Sequence, residues 1–148
     1  RPDMDMLPME ALGRLHEASI LVARERQAPL YARYGLQQGE FDALATLRRS
    51  GASEGLTPTA LFEAAMMSSG GMTARIDRLE KAGLVERRPH PTDRRATLVR
   101  LTDKGFALIE SIMPSHEETA HDILAPLSAD EQKTLNALLA RLIGGLCD

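Results

Sequence analysis

Tryptophan is absent from the 148 residues, and only three phenylalanines, two tyrosines and one cysteine are present. With so few rings, the core falls to Leu, Ala, Ile and Met, a composition that leans helical. The lone thiol, Cys147, excludes an internal disulfide and a cysteine-built metal cluster within one chain. Long apolar runs are missing too. None approaches the length that crosses a bilayer, and the first residues, with Asp3, Asp5 and Pro8, lack the charged-then-apolar layout of a signal peptide. A cytoplasmic location without membrane contact is the expectation. A Gly-rich phosphate loop, a nucleophile elbow and paired catalytic carboxylates are also missing, so no enzyme chemistry is expected.

What is present is an ordinary globular balance of 43% apolar and 26% charged residues, enough for one compact domain or two very small ones. The net charge of −3 hides an asymmetry. The segment from Ser68 to Arg100 carries eight cations against four anions, so it stands at +4 and the remainder at −7. An acidic body with one basic segment suits a nucleic-acid reader, because a single face meets phosphate while the rest is repelled. A solvated mixed-charge helix followed by a charged hairpin is the plainer reading of the same charges.

Leu12, Leu15, Ile20, Leu21 and Val22 recur at helical spacing, which predicts one long helix from Met9 to about Tyr34, kinked near Pro29 and stopped at Gly35. Phe41, Leu44 and Leu47 predict a second helix over 38–50 ending at Gly51. Thr57-Pro58 reads as an N-cap and first helical position, opening a short helix to about Ala65. The next helix is expected to start at a capping Ser68, bury Met72, Ile76 and Leu79, and stop at Gly83. Gly70 and Gly71 then fall in its first turn, where two glycines call for close approach of another molecule or tight helix packing. Residues 84–88 and 97–101 form a hairpin whose tip holds Asp93, Arg94 and Arg95. Thr102 caps a long helix with Phe106, Ile109, Ile112, Met113, Ile123 and Leu124, kinked at Pro114 and stopped at Pro126. Ser128 to Glu131 is a capping box opening a last helix with Leu135, Leu138, Leu139, Leu142 and Leu146 on one face.

The predicted fold is mainly α with a small β-hairpin wing: a winged helix-turn-helix over residues 36–102, with a helical dimerisation region from both termini, 9–34 and 103–146. Three apolar helix faces exceed what one small domain can bury, and a homodimer is their natural sink. On the basic helix, Ser69, Gly70, Thr73, Ala74, Asp77 and Arg78 lie opposite the buried stripe and face the major groove of double-stranded DNA. Ser68 presents its hydroxyl and nearby amides to a phosphate. Thr57 and Thr59 join the DNA-facing set from the preceding helix. Arg94 and Arg95 reach an adjacent minor groove, with Asp93 holding the direction of one of them.

The stretches Leu56 to Leu61, Ser68 to Thr73, Arg75 to Arg87 and Pro91 to Arg95, closed by Leu101-Thr102-Asp103-Lys104-Gly105, resemble the MarR family of bacterial transcription regulators. That resemblance implies a homodimer whose terminal helices interlock, a pseudo-palindromic operator straddled by two winged domains, and release of DNA by a small molecule, often an aromatic acid. Gly39 to Gly51 together with Ser68 to Gly71 resembles the urate-responsive subgroup. Its polar effector residues map onto Asp42, Arg75 and Arg87, while its tryptophan has no counterpart. The implied ligand is an anionic planar molecule near Arg75. A structural salt bridge between the second helix and the winged domain is the other reading of these three residues.

His116 and His121 are five apart and lie on different helix faces, unlike the i, i+4 pair that chelates zinc. No metal and no cofactor are expected. A metal site using His116, His121 and Glu117 stands as the minor alternative, and a polar helix face as the common one. The alternative function is a winged-helix dimer acting as a metal-sensing or protein-interaction module. Cys147 sits away from the N-terminal helices, where a thiol sensor would need it.

Overall fold

The computed structural model describes residues 1–51, 53–67 and 70–147. The first helical stretch is α1 (Leu7–Leu21), a π-helical turn (Val22–Gln27) and α2 (Ala28–Ala32). A single kinked α-helix was the expectation; the structure instead widens the backbone just ahead of Pro29. The Ala28 amide donates to the carbonyl of Ala23, five residues back. Pro29 has no amide hydrogen, and its ring crowds the carbonyl four residues earlier, so a wider turn relieves both defects. Gly35, at φ +74°, turns the chain into α3 (Gln38–Ser50). A capping box between Gln37 and Glu40 starts α3, and Gly51 at φ +64° stops it.

Thr57 caps α4 (Pro58–Ala64) by accepting the Ala60 amide at 3.2 Å, with proline at the first helical position. The basic helix α5 (Met72–Lys81) begins later than expected. Its N-cap is Gly71, at φ +82° and without a side-chain cap, while Ser68 lies outside the described residues. Gly70 and Gly71 therefore precede the helix, and a Cβ at either would meet nothing within 4 Å. The positive φ explains Gly71, and packing does not.

Strands β1 (Val85–Pro89) and β2 (Thr97–Leu101) pair antiparallel, from Val85 opposite Leu101 to Pro89 opposite Thr97. An isolated bridge adds Leu56 beside Val99. Thr102 caps α6 (Asp103–Leu124), a 22-residue helix with Pro114 inside it, and Ser128 with Glu131 caps α7 (Ala129–Leu146).

One buried cluster joins these elements. Leu44, Leu61, Met72, Leu79, Val99, Ile109 and Ile112 are all within 1% of full burial, so α3, α4, α5, β2 and the first half of α6 share a core. Leu30 and Tyr31 of α2 belong to it too, so the buried cluster extends beyond residues 36–102 on both sides. The terminal helices behave differently. No residue of α1 or α7 is buried, and Leu12, Leu15, Leu138, Leu142 and Leu146 are exposed. Between the two helices lies an apolar groove of about 660 Å3 lined by Leu12, Leu15, Leu135, Leu138, Leu139 and Leu142.

Candidate nucleic-acid interface and adjacent cleft

Met72, Ile76 and Leu79 lock α5 into the core and leave Thr73, Ala74, Asp77 and Arg78 outward, with Gly70 exposed just before the helix. Ser69, like Ser68, falls outside the described residues. Arg78 leans toward the start of α3, donating to Gln37 Oε1 at 3.3 Å with its Nε 3.9 Å from Glu40. Thr59 is exposed at the start of α4, whereas the oxygen of Thr57 is occupied by its cap. The order α3, α4, α5, hairpin is that of a winged helix-turn-helix, and its exposed helix face is small and polar.

The hairpin tip is held by its own side chains. The His90 amide donates to Ala96 at 3.1 Å, and the Ala96 amide to the Asp93 carbonyl at 3.2 Å. His90 Nδ1 accepts the amides of Thr92 and Asp93 at 3.2 and 3.1 Å. Asp93 was expected to direct an arginine side chain; it instead accepts the backbone amide of Arg95 at 2.9 Å. A short aspartate reaches the amide two residues on more readily than a flexible guanidinium, the habit of Asx turns. Arg94 and Arg95 are exposed, and among the described residues neither guanidinium forms an ion pair. Lower on the hairpin, Glu86 lies 2.5 Å from Arg100 and 3.0 Å from Arg88, which hold its carboxyl below the usual range.

Asp42, Arg75 and Arg87 do not form one site. Arg87 spends its guanidinium on Asp77 at 2.6 Å and Glu80 at 2.7 Å, both on α5. It therefore ties the hairpin to α5, not the second helix to the winged domain. Arg75 lies across α3 at Gly39, where an added Cβ would stand 2.5 Å from its Nε, and its charge acts on Asp42 one turn further along. Asp42 lines a cleft of about 460 Å3 between α2, α3, the end of α4 and α6. Burial pushes its carboxyl up, and the charges of Arg75, His116 and Arg49 pull it partly back.

The rings around this cleft had no signal in the sequence pattern. Tyr31 stacks on Phe41 with centroids 4.0 Å apart, and His116 packs beside Phe41 at 5.0 Å. The Tyr31 hydroxyl meets His116 Nδ1 at 3.2 Å across 85 positions of sequence. Burial, with Asp42 nearby, pushes the phenol up to about 12. His116 thus turns inward, while His121 faces solvent 3.7 Å from Glu117. The trio weighed as a metal site is split across two sides of α6, and no group of three or more metal-ligating side chains occurs among the described residues.

The comparisons with known proteins agree with this frame. The MarR family model matches residues 34–96. The HTH-type transcriptional regulator PecS of Dickeya dadantii is 43% identical over 142 residues, spanning 96% of this chain and 85% of that protein. A probable transcriptional regulator from Pseudomonas aeruginosa has a crystal structure with a TM-score of 0.74 and 32% identity, covering 96% of this chain and 99% of that one. An Escherichia coli MarR mutant crystallised with operator DNA has a TM-score of 0.80 at 29% identity, covering 94% and 99% respectively. With the winged frame intact and nearly the whole chain aligned to a regulator at this identity, the chain belongs to the MarR family of transcriptional regulators.

Proposed function

We propose that this chain is a homodimeric, ligand-responsive repressor of transcription that binds a pseudo-palindromic operator. The observation that carries the reading is the division of α5 into a fully buried apolar stripe and an outward polar face, with two exposed arginines at the hairpin tip beside it. In this reading residues 68–78, with Thr57 and Thr59, enter the major groove, and Arg94 and Arg95 reach the minor groove. Residues 9–34 and 103–146 supply the dimer contacts, because α1 and α7 leave their leucines exposed in a single copy. No described helix is long and apolar enough to cross a membrane.

The effector in this reading is a small aromatic anion in the cleft beside Asp42. Tyr31, Phe41 and Met113 give that cleft apolar walls, and Arg49 gives it positive charge, while Arg48 at its edge is ion-paired with Glu110. Arg75 couples it to α5, the helix that reads DNA. A bound anion would favour a separation of the two copies of α5 that no longer matches successive major grooves, about 34 Å apart. Arg87 takes part through its hold on the hairpin, away from the cleft.

Fluorescence anisotropy against labelled duplex from the DNA upstream of its own gene tests the reading. Replacing both Arg94 and Arg95 by Ala should weaken binding to all sequences and shallow the salt slope by about 2. An unchanged slope overturns the wing assignment. Absence of duplex affinity overturns the repressor reading as a whole.

A further inference from the structure

We infer that His90 is a positioning residue of the hairpin tip: its unprotonated Nδ1 holds the turn that aims Arg94 and Arg95, and a proton on Nδ1 releases that turn and weakens DNA binding. The inference rests on the DNA-binding role proposed for the tip.

The Nδ1 atom accepts two backbone amides, from Thr92 at 3.2 Å and Asp93 at 3.1 Å. An amide can only donate, so these bonds require the tautomer with its hydrogen on Nε2. A second proton would occupy the same lone pair and face both amide hydrogens. The protonated ring has a replacement in the Thr92 hydroxyl oxygen, 3.4 Å away. Two accepted bonds would give way to one donated bond, and the amides of Thr92 and Asp93 would be left to solvent.

Those amides set the path of the tip. Asp93 carries the next bond in the series, accepting the Arg95 amide, and its carbonyl accepts Ala96. Losing the His90 bonds therefore loosens the segment that carries both arginines. Backbone order counts here because a minor-groove guanidinium must enter from a fixed direction.

His90 is half-buried against a cleft between the hairpin and the start of α4, faced by Glu54, Thr57, Ala60 and Leu98. Glu54, from the loop before α4, is the ionisable group among these. On the hairpin itself, Asp93 is engaged with Arg95, and the guanidinium groups of Arg94 and Arg95 are exposed. Histidine is the side chain type whose charge change lies between about pH 5 and 8, so that is the interval to test.

The test uses the whole protein and three variants: H90N, whose side-chain oxygen accepts the same amides without titrating, H90A, which accepts nothing, and the Arg94, Arg95 double alanine. In the free protein, the Thr92 and Asp93 amide NMR signals should shift together between pH 7.5 and 5.5, and H90N should abolish that shift. With labelled upstream duplex, wild type should lose about tenfold in affinity over the same range, the effect of losing one to two hydrogen bonds. H90N should restore binding at pH 5.5 to within about twofold of its value at pH 7.5, and H90A should bind weakly at both. An H90N pH profile that follows wild type, or H90A binding like wild type at pH 7.5, overturns the inference. If the double alanine leaves binding unchanged, the wing reading fails instead, and the amide shifts still decide whether His90 holds the turn.

Discussion

The guanidinium of Arg87 lies 2.6 Å from the carboxylate of Asp77, joining β1 to the outward face of α5. The same side chain reaches Glu80 at 2.7 Å, and the Arg87 amide donates to Glu80 at 3.0 Å. Helix and hairpin are therefore one body, and a displacement of either carries the other. This arrangement also pairs the carboxylate of Asp77, which in the proposed reading would otherwise repel phosphate.

Replacing Arg87 by Ala should lower stability by about 1 kcal/mol, a modest figure because the pairs are partly screened by solvent. The larger consequence is electrostatic. An unpaired Asp77 on the surface proposed to face DNA should reduce duplex affinity several-fold. R87K should recover little, since an ammonium lacks the fork that spans both carboxylates. Thermal unfolding with parallel anisotropy titrations checks this; equal affinity in R87A would show that Asp77 stands clear of the DNA.

Gly105 marks where α6 crosses the base of the hairpin. A Cβ there would stand 1.9 Å from the Leu84 carbonyl oxygen, which also accepts the Thr102 amide at 3.1 Å. Gly105→Ala should destabilise by about 3 kcal/mol, the upper range for overpacking, because the obstacle is backbone. Urea unfolding measures it, and a loss under 1 kcal/mol would mean that helix and strand separate freely.

The parts legible in the sequence are those governed by near neighbours. Thr57, Thr102 and Ser128 are caps because a short hydroxyl side chain bonds an amide three residues on. Met72, Ile76 and Leu79 are buried because their spacing follows the helical period. What escaped was set by tertiary geometry. Nothing local distinguishes a π-helical turn from a kink at Pro29, and nothing in the spacing brings Tyr31 to His116. The grouping of Arg87 with Asp42 and Arg75 failed because charge signs carry no address: Arg87 found Asp77 and Glu80 ten and seven residues away.

Tyr31 offers a clean spectroscopic check, since the chain has no tryptophan and only one other tyrosine. Its phenol should ionise near 12, against about 10 for an ordinary tyrosine. The sign follows from the neutral form being favoured in the fold. Stability from this group is full below about 10 and is lost as pH rises through 12. Tyr31→Phe should remove the high-pH absorbance step and cost about 1 kcal/mol through the bond to His116. A single ultraviolet step near pH 10 for both tyrosines would refute the burial argument.

The exposed leucines predict an association strength that point charges can break. Leu138 is 56% and Leu142 41% exposed in one copy, beside the leucines of α1. A glutamate at both positions would have to be buried against apolar helix in a dimer, at several kcal/mol. Light scattering should show wild type as a dimer and the double variant as a monomer that keeps its circular dichroism. A double variant that remains dimeric would place the interface elsewhere.

Asp42 should tie stability to the proposed anion binding through pH. Burial raises its carboxyl, so its contribution to stability is full below the ordinary aspartate range, about 3.9, and declines as pH rises through the raised value. Asp42→Asn should therefore unfold at a higher temperature than wild type at pH 7, with the difference closing as the solution approaches pH 4. The same charge opposes an anion in the cleft. Benzoate should bind wild type more tightly as pH falls through the raised value toward the ordinary aspartate range, while Asp42→Asn should lack that component. Isothermal titration across a pH series from 7 down to about 4, with Asp42→Asn in parallel, separates the two. Benzoate affinity that is flat with pH in wild type would remove Asp42 from the effector site, whatever the unfolding temperatures show.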